Sequence, residues 1–309
     1  VVALTVIVPV FNAELTLDAL LTSLENMSRA NEIPLEVVLV NDGSRDRSWE
    51  TIVRLSQDYG WVRGINLMRN FGQHNALLCG IRSARNDVIV TMDDDLQNPA
   101  EEIPGMLAKL QEGHDVVYGT PQRERHGLLR DLASQITKLT LQGVMGVSTA
   151  RNVSAFRIFR TRLRSAFEQY SGPSVSIDVL LTWGTDRFSS VRVLNRPRAA
   201  GVSNYTVLKL VTHALNMMTG FSAVPLRIAS VLGFAFTIFG FLILLYILGR
   251  FFVEGGSVPG FPFLGSIIAI FSGAQLFALG IFGEYLARIH SRTMDKPSYA
   301  VRSTTDSAC

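Results

Sequence analysis

Cysteine is nearly absent: there are two in 309 residues, Cys79 inside a helix-like run and Cys309 at the end. That excludes a disulfide framework, leaves no spacing for a cysteine metal site, and suits a reducing compartment. Charge is also scarce, at 18% of residues against 48% hydrophobic, and the mean hydropathy is +0.25. So little charge argues for a membrane part. A large excess of one sign is missing too: a net charge of +3 and a pI near 9.0 make no nucleic-acid-binding surface. The apolar start, Val1 to Val10, lacks a basic leader and runs into Pro9, so it reads as a strand rather than a signal peptide. The chain is therefore expected to begin inside the cell, with residues ahead of Val1 trimmed, since no initiator Met is present.

What is there centres on Val88-Ile89-Val90-Thr91-Met92-Asp93-Asp94-Asp95-Leu96-Gln97-Asn98-Pro99. A β-branched apolar run reads as a buried strand, and this one ends in three carboxylates, an amide and a Pro. Adjacent acids repel one another, so a cation is the natural reason to gather them where open α/β sheets bind ligands. Carboxylate and amide oxygens suit a hard ion, Mg²⁺ or Mn²⁺. A plain solvated loop is the competing reading, as is an acidic phosphoryl-accepting pocket. An EF-hand fails on spacing, because Asn98 would stand where its glycine belongs and Pro104 where its glutamate belongs.

From Leu4 to Ser190 apolar runs alternate with amphipathic ones. Strands are expected at Leu4–Val10, Leu35–Val40, Val62–Leu67, Asp87–Met92, Asp115–Gly119 and Phe188–Leu194. Helices are expected near Ala13–Ser28, Asp46–Asp58, Gln73–Ala84 and Ala100–Glu112. Such alternation predicts an α/β fold with a mostly parallel sheet covered by helices on both faces, its strand ends gathered on one edge. Pro9-Val10-Phe11-Asn12, Asn41-Asp42-Gly43-Ser44 and the triple acid should then share a crevice, with Asp42 a candidate for base or ribose. His74, at a helix start, reads as a cap rather than a base. The amphipathic Leu128–Val144 run carries Lys138 and has Arg123, Arg125 and Arg130 around its start; it is either an ordinary surface helix or an element resting on an anionic membrane. Arg151, Arg157, Arg160, Arg162 and Arg164 have only Glu168 as a nearby acid, so phosphate binding is the expectation there.

Tyr205–Phe221 reads as an interfacial helix. Ile228 to Gly249 then holds no charge, about 33 Å as a helix, and Gly255 to Gly283 is a second uncharged run. Two spans joined by a short loop make a transmembrane hairpin. Lys209, Arg227, Arg288, Arg292, Lys296 and Arg302 flank it against Arg250 alone in the loop, which points both termini and the crevice to the cytoplasm.

These motifs together resemble the polyprenyl-phosphate glycosyltransferases of the family-2, GT-A class, a family that includes dolichol-phosphate mannose synthase and the undecaprenyl-phosphate formamido-arabinose transferases. The resemblance rests on Asn70-Phe71-Gly72-Gln73-His74, the stretch Asp93 to Pro99, Pro225-Leu226-Arg227 and Gly283-Glu284-Tyr285-Leu286-Ala287-Arg288-Ile289. It implies a catalytic domain over 1–204, interfacial helices over 205–225, two transmembrane helices over 226–287 and a cytoplasmic tail over 288–309, in the bacterial inner membrane. It further implies a nucleotide-sugar donor, UDP-linked in the nearest relatives, a polyprenyl phosphate acceptor, and a homo-oligomer. Asp93, Asp95 and Gln97 would hold the metal, with Asp95 catalytic. Pro9, Asn12, Asp42, Asp93 and Asp94 would contact the donor, and Arg157, catalytic as well, would hold the acceptor phosphate with Arg198 and Ser203. Three positions depart from the family: Ala13 replaces a glutamate that here follows as Glu14, Asn204 replaces a lysine, and Arg151 stands where relatives have an acid.

A lipid monophosphate is largely dianionic at neutral pH, with a second pKa near about 6, so it needs positioning more than deprotonation. An in-line, inverting displacement at the anomeric carbon follows as the expected reaction. Two alternatives remain. A non-catalytic nucleotide-sugar binder is motivated by the three departures. A processive polysaccharide synthase would need a Gln-x-x-Arg-Trp motif, and none of Trp49, Trp61 or Trp183 follows an Arg.

Overall fold

The computed structural model describes residues 2–121, 153–172, 175–196, 224–254, 260–294 and 296–307. The Leu128–Val144 and Tyr205–Phe221 segments lie outside the described residues, as do Arg198 and Ser203. The chain divides into two compact units, Val1–Ala214 with Asp295–Cys309, and Leu215–Met294.

Among the described residues the first unit contains a mixed eight-stranded sheet. In chain order it contains β1 (Leu4–Val10), α1 (Leu17–Asn31), β2 (Leu35–Asn41), α2 (Ser48–Asp58), β3 (Val62–Leu67), α3 (Gln73–Ser83), β4 (Val88–Thr91), α4 (Ile103–Gln111), β5 (Val116–Pro121), β6 (Arg157–Arg160), α5 (Ile177–Thr182), β7 (Phe188–Val193) and, after the second unit, β8 (Val301–Thr304). The strand order is β7-β5-β6-β4-β1-β2-β3-β8, with β6 and β8 antiparallel to their neighbours and the other pairs parallel. Every residue of β1 is buried. Alternation along it sends Val6, Val8 and Val10 into a core with α1, α2 and α4, and Ile7 into a second core with α3 and α5. Helices therefore cover both faces, as alternation in the sequence predicts. Gly80 lets α3 lie close on β1: a Cβ there would stand 2.3 Å from Ile7 Cγ2.

Two strands escape the sequence pattern. β6 begins and ends in arginine, which hides a segment whose Ile158 and Phe159 are fully buried. β8 lies in the stretch expected to be a tail. It pairs with β3, Ile65 facing Thr304, and is fastened by Arg63 and Arg85, each 3.0 Å from Asp306, and by Gly64 N donating to Thr305 Oγ1 at 2.8 Å. The end of the chain is thus a structural part of the sheet.

The second unit contains α6 (Val224–Glu254) and α7 (Phe261–Thr293). Its most apolar windows, Leu226–Ile243 and Ile270–Ala287, have mean hydropathy 2.1 and 1.3 with 6% and 0% of their residues buried. A core helix of a soluble protein would be mostly covered, whereas these are apolar on sides that face outward, as helices surrounded by lipid are. The two pack through an edge-on contact of Phe236 with Phe271, ring centroids 5.8 Å apart.

Candidate active site

At the carboxyl edge of β1 to β4 lies a cavity of about 570 Å³, lined among others by Pro9, Phe11, Asn12, Glu14, Asp42, Asp46, Asn70, Gln73, Asp93, Asp94 and Asp95. The four loops that build it each contain one residue in the left-handed region: Asn12 (φ 54), Gly43 (φ 68), Gly72 (φ 94) and Leu96 (φ 61). Such turns reverse the chain tightly and aim backbone N–H groups and short side chains across the gap.

The first two loops are stapled together. Asn12 N donates to Ser44 Oγ at 3.0 Å, Arg45 N to Asn12 Oδ1 at 2.8 Å, Ala13 N to Ser48 Oγ at 2.9 Å and Glu14 N to Asp46 Oδ2 at 3.3 Å. Glu14, one place after the family position, accepts from Arg47 N at 2.9 Å and so ties the start of α2 to this loop. Asp42 is fixed in turn: its two oxygens accept from Phe71 N at 2.7 Å and Gly72 N at 2.9 Å. Burial raises its pKa against the opposing effect of those bonds and of Arg69. Part of its capacity is therefore spent on the loop that opens α3.

The three consecutive acids play different structural parts. Asp94 is turned back to Phe11 N at 3.2 Å. Burial pushes its carboxyl up to about 6, with Asp93 and Asp95 adding to the rise and the Phe11 bond opposing it. Asp93 accepts from Gln73 Nε2 at 2.6 Å, and Asp95 from Gln97 N at 3.1 Å. Asp93 and Asp95 line the cavity, and Gln97, the third residue expected at the metal, donates its backbone N–H to Asp95. Gln73, which enters the sequence reading only as part of a motif, turns out to hold the half-buried carboxylate of Asp93.

Among the described residues no group of three or more His, Cys, Asp or Glu side chains is gathered to hold a metal. The donor set nevertheless fits a hard divalent ion of the Mg²⁺ kind, which takes one or two protein carboxylates and completes its shell with substrate phosphates. Asp93 and Asp95 are the residues that would hold it.

Of the five arginines expected to bind phosphate, Arg151 lies outside the described residues, and the other four are engaged within the protein. Arg157 is 1% exposed, its guanidinium ion-paired with Asp178 and its Nε donating to Thr91 Oγ1 at 3.0 Å. Its guanidinium is buried between the sheet and α5, so an acceptor phosphate would have to displace that pair to reach it. Arg160 and Arg162 lie 3.4 and 2.8 Å from Asp115, and Arg164 donates to the carbonyls of Ile81, Arg82 and Ala84 at the end of α3. These acids are distant in sequence and brought near by the sheet, which is why a search for adjacent acids finds none. His74 accepts from Ile177 N through Nδ1 at 3.3 Å.

Fold and site together define a GT-A-like α/β protein, with its acids at the end of a central strand and two apolar helices appended. Glucosyl-3-phosphoglycerate synthase from Mycobacterium tuberculosis, solved with Mn²⁺, UDP and phosphoglyceric acid, matches at TM-score 0.53 and 17% identity over 71% of this chain and 76% of that one. The chain belongs to glycosyl transferase family 2, whose model matches residues 5–171. It is similar to the undecaprenyl-phosphate 4-deoxy-4-formamido-L-arabinose transferase of Pectobacterium atrosepticum, 33% identical over 98% of this chain and 94% of that one. The transferase of the same name from Shewanella sediminis is 34% identical over 96% and 91%.

Proposed function

We propose that this protein transfers a sugar from a nucleotide-sugar, UDP-linked, to undecaprenyl or a related polyprenyl phosphate at the inner leaflet of a bacterial inner membrane, with inversion at the anomeric carbon. The names of its relatives supply the acceptor class. The observation that carries the reading is the charge of the cavity. Among the described residues that line it, the charged ones are all acids, Glu14, Asp42, Asp46, Asp93, Asp94 and Asp95. A diphosphate would be repelled from such a wall unless a cation stood between.

A divalent ion held by Asp93 and Asp95 would supply charge stabilisation for the departing nucleoside diphosphate. Asp94, tied to Phe11 N, keeps the acidic loop against the first strand. Pro9, Asn12 and Asp42 line the cavity and would contact the nucleoside. The attacking group is an oxygen of the lipid phosphate, already ionised, so the site has to align it behind the anomeric carbon rather than remove a proton. Arg198 and Ser203 are the positions assigned to that phosphate, and Arg157 is not retained there.

That both ends lie on one side of the membrane has support besides the flanking basic residues. β1 to β7 precede the two apolar helices and β8 follows them, yet all belong to one sheet. The chain must leave and return to the same body, so an even number of crossings is required. A homo-oligomer within the bilayer is part of the proposal; apolar side chains such as Phe241, Leu242 and Leu276, exposed in the single chain, are open to lipid or to a second copy alike.

The test is a panel of nucleotide-sugars with purified full-length protein, undecaprenyl phosphate and Mg²⁺ or Mn²⁺. Release of nucleoside diphosphate that depends on the lipid is the expected result. Donor binding with no lipid-dependent release would make the protein a binder and overturn the reading.

A further inference from the structure

Asp178 takes no part in the chemistry above, yet it and its neighbour Ile177 reach the acidic loop by two separate routes. It is 6% exposed, pairs with Arg157 and accepts from Tyr118 OH at 3.0 Å. Arg157 Nε then donates to Thr91 Oγ1 at 3.0 Å, and that hydroxyl donates onward to Ala155 O at 2.8 Å. Thr91 is the last residue of β4, two before Asp93. The second route starts one residue earlier: Ile177 N donates to His74 Nδ1 at 3.3 Å, and the neighbouring Gln73 holds Asp93 Oδ1 at 2.6 Å. The start of α5 thus closes a ring through β6 and β4 on one side and the start of α3 on the other.

Stability alone does not account for the pair. Burying two charges costs desolvation, and apolar groups of like volume are often as stable or more so. What apolar groups lack is direction. With Arg157 donating and Ala155 accepting, the Thr91 hydroxyl is fixed in one orientation, and a saturated buried network specifies a single geometry.

We propose that Asp178, acting through Arg157 and Thr91, is a positioning residue that sets the end of β4 and so the direction in which Asp93 and Asp95 present their carboxylates. The proposal rests on the reading that those two acids hold a divalent cation. Removing Asp178 alone would strand a buried Arg157, so the decisive variant is Thr91→Val, which deletes the hydroxyl and leaves the ion pair in place, with Thr91→Ser as the rescue.

Two measurements on the full-length protein in detergent test it: hydrogen exchange of the amides of residues 92–98 without metal, and Mn²⁺ binding in the presence of UDP, followed by electron paramagnetic resonance. In Thr91→Val, exchange at 92–98 should quicken by about tenfold with β1 unchanged, and Mn²⁺ should bind about five- to tenfold more weakly, while Thr91→Ser matches the native protein. Native exchange and native Mn²⁺ affinity in Thr91→Val would overturn the proposal, as would faster exchange spread evenly over β1, which would mark a merely structural bond. A native protein that binds no Mn²⁺ with UDP would instead overturn the metal reading beneath it, a failure the exchange data keep distinct.

Discussion

Single residues at the crevice are held in conformations that side chains resist. Gly43 has φ 68, and a Cβ on it would stand 2.5 Å from Asn70 N and 2.6 Å from Arg69 C, both backbone. Gly43→Ala should therefore cost roughly 2 kcal/mol or more and weaken donor binding, since the loop that carries Asp42 must shift; a melting curve checks the first effect and a nucleotide titration the second. Leu96, at φ 61 between the acids and Gln97, is strained without glycine's freedom, and such strain is characteristic of functional loops. Gln73→Leu removes the amide that holds Asp93. Turnover should fall by about ten- to a hundredfold with little change in melting temperature, as expected when a group that orients a ligand is lost. Residue identity in the sequence was enough to find the acids but not their division of labour. Nothing in Asp93-Asp94-Asp95 says that the middle one turns to Phe11, because the turn depends on a loop 83 positions away.

Secondary-structure elements were legible where periodicity was clean. The expected β1 and β3 match the observed strands residue for residue, and β2 runs one residue further, to Asn41. β6 and β8 were not, because arginines interrupt the first and exposed residues make up most of the second. The same long-range pairing that hid β6 misassigned its arginines. Asp115 shows how: burial alone would raise its carboxyl, but hydrogen bonds from Arg162 and Thr185 and the charges of Arg162 and Arg160 outweigh that and hold it below its usual 3.8. A depressed carboxylate stabilises the fold above the unfolded value and loses that contribution as pH falls through the folded one. Arg162→Ala should therefore be less stable than the native protein at pH 7, with the gap closing below about pH 4, measured by denaturant unfolding across pH. β8 carries an expectation of its own. Removing residues 296–309 uncovers the edge of β3 and takes away Asp306, the partner of Arg63 and Arg85, so the shortened chain should melt several degrees lower and aggregate.

At the scale of the whole molecule, two apolar helices interrupt a sheet that is finished only after them. Reporters fused to the two ends of the chain should both read the cytoplasm, and one inserted near Gly256 the opposite side. Ends on opposite sides would rule out the paired crossing. The cation proposed to sit between Asp93 and Asp95 is tested most directly by lipid-dependent release of nucleoside diphosphate from the purified full-length protein before and after chelation. Release should stop on chelation, return with Mn²⁺ or Mg²⁺, and fall by about a hundredfold or more in Asp95→Ala; undiminished release in the chelated protein or in that variant would contradict it.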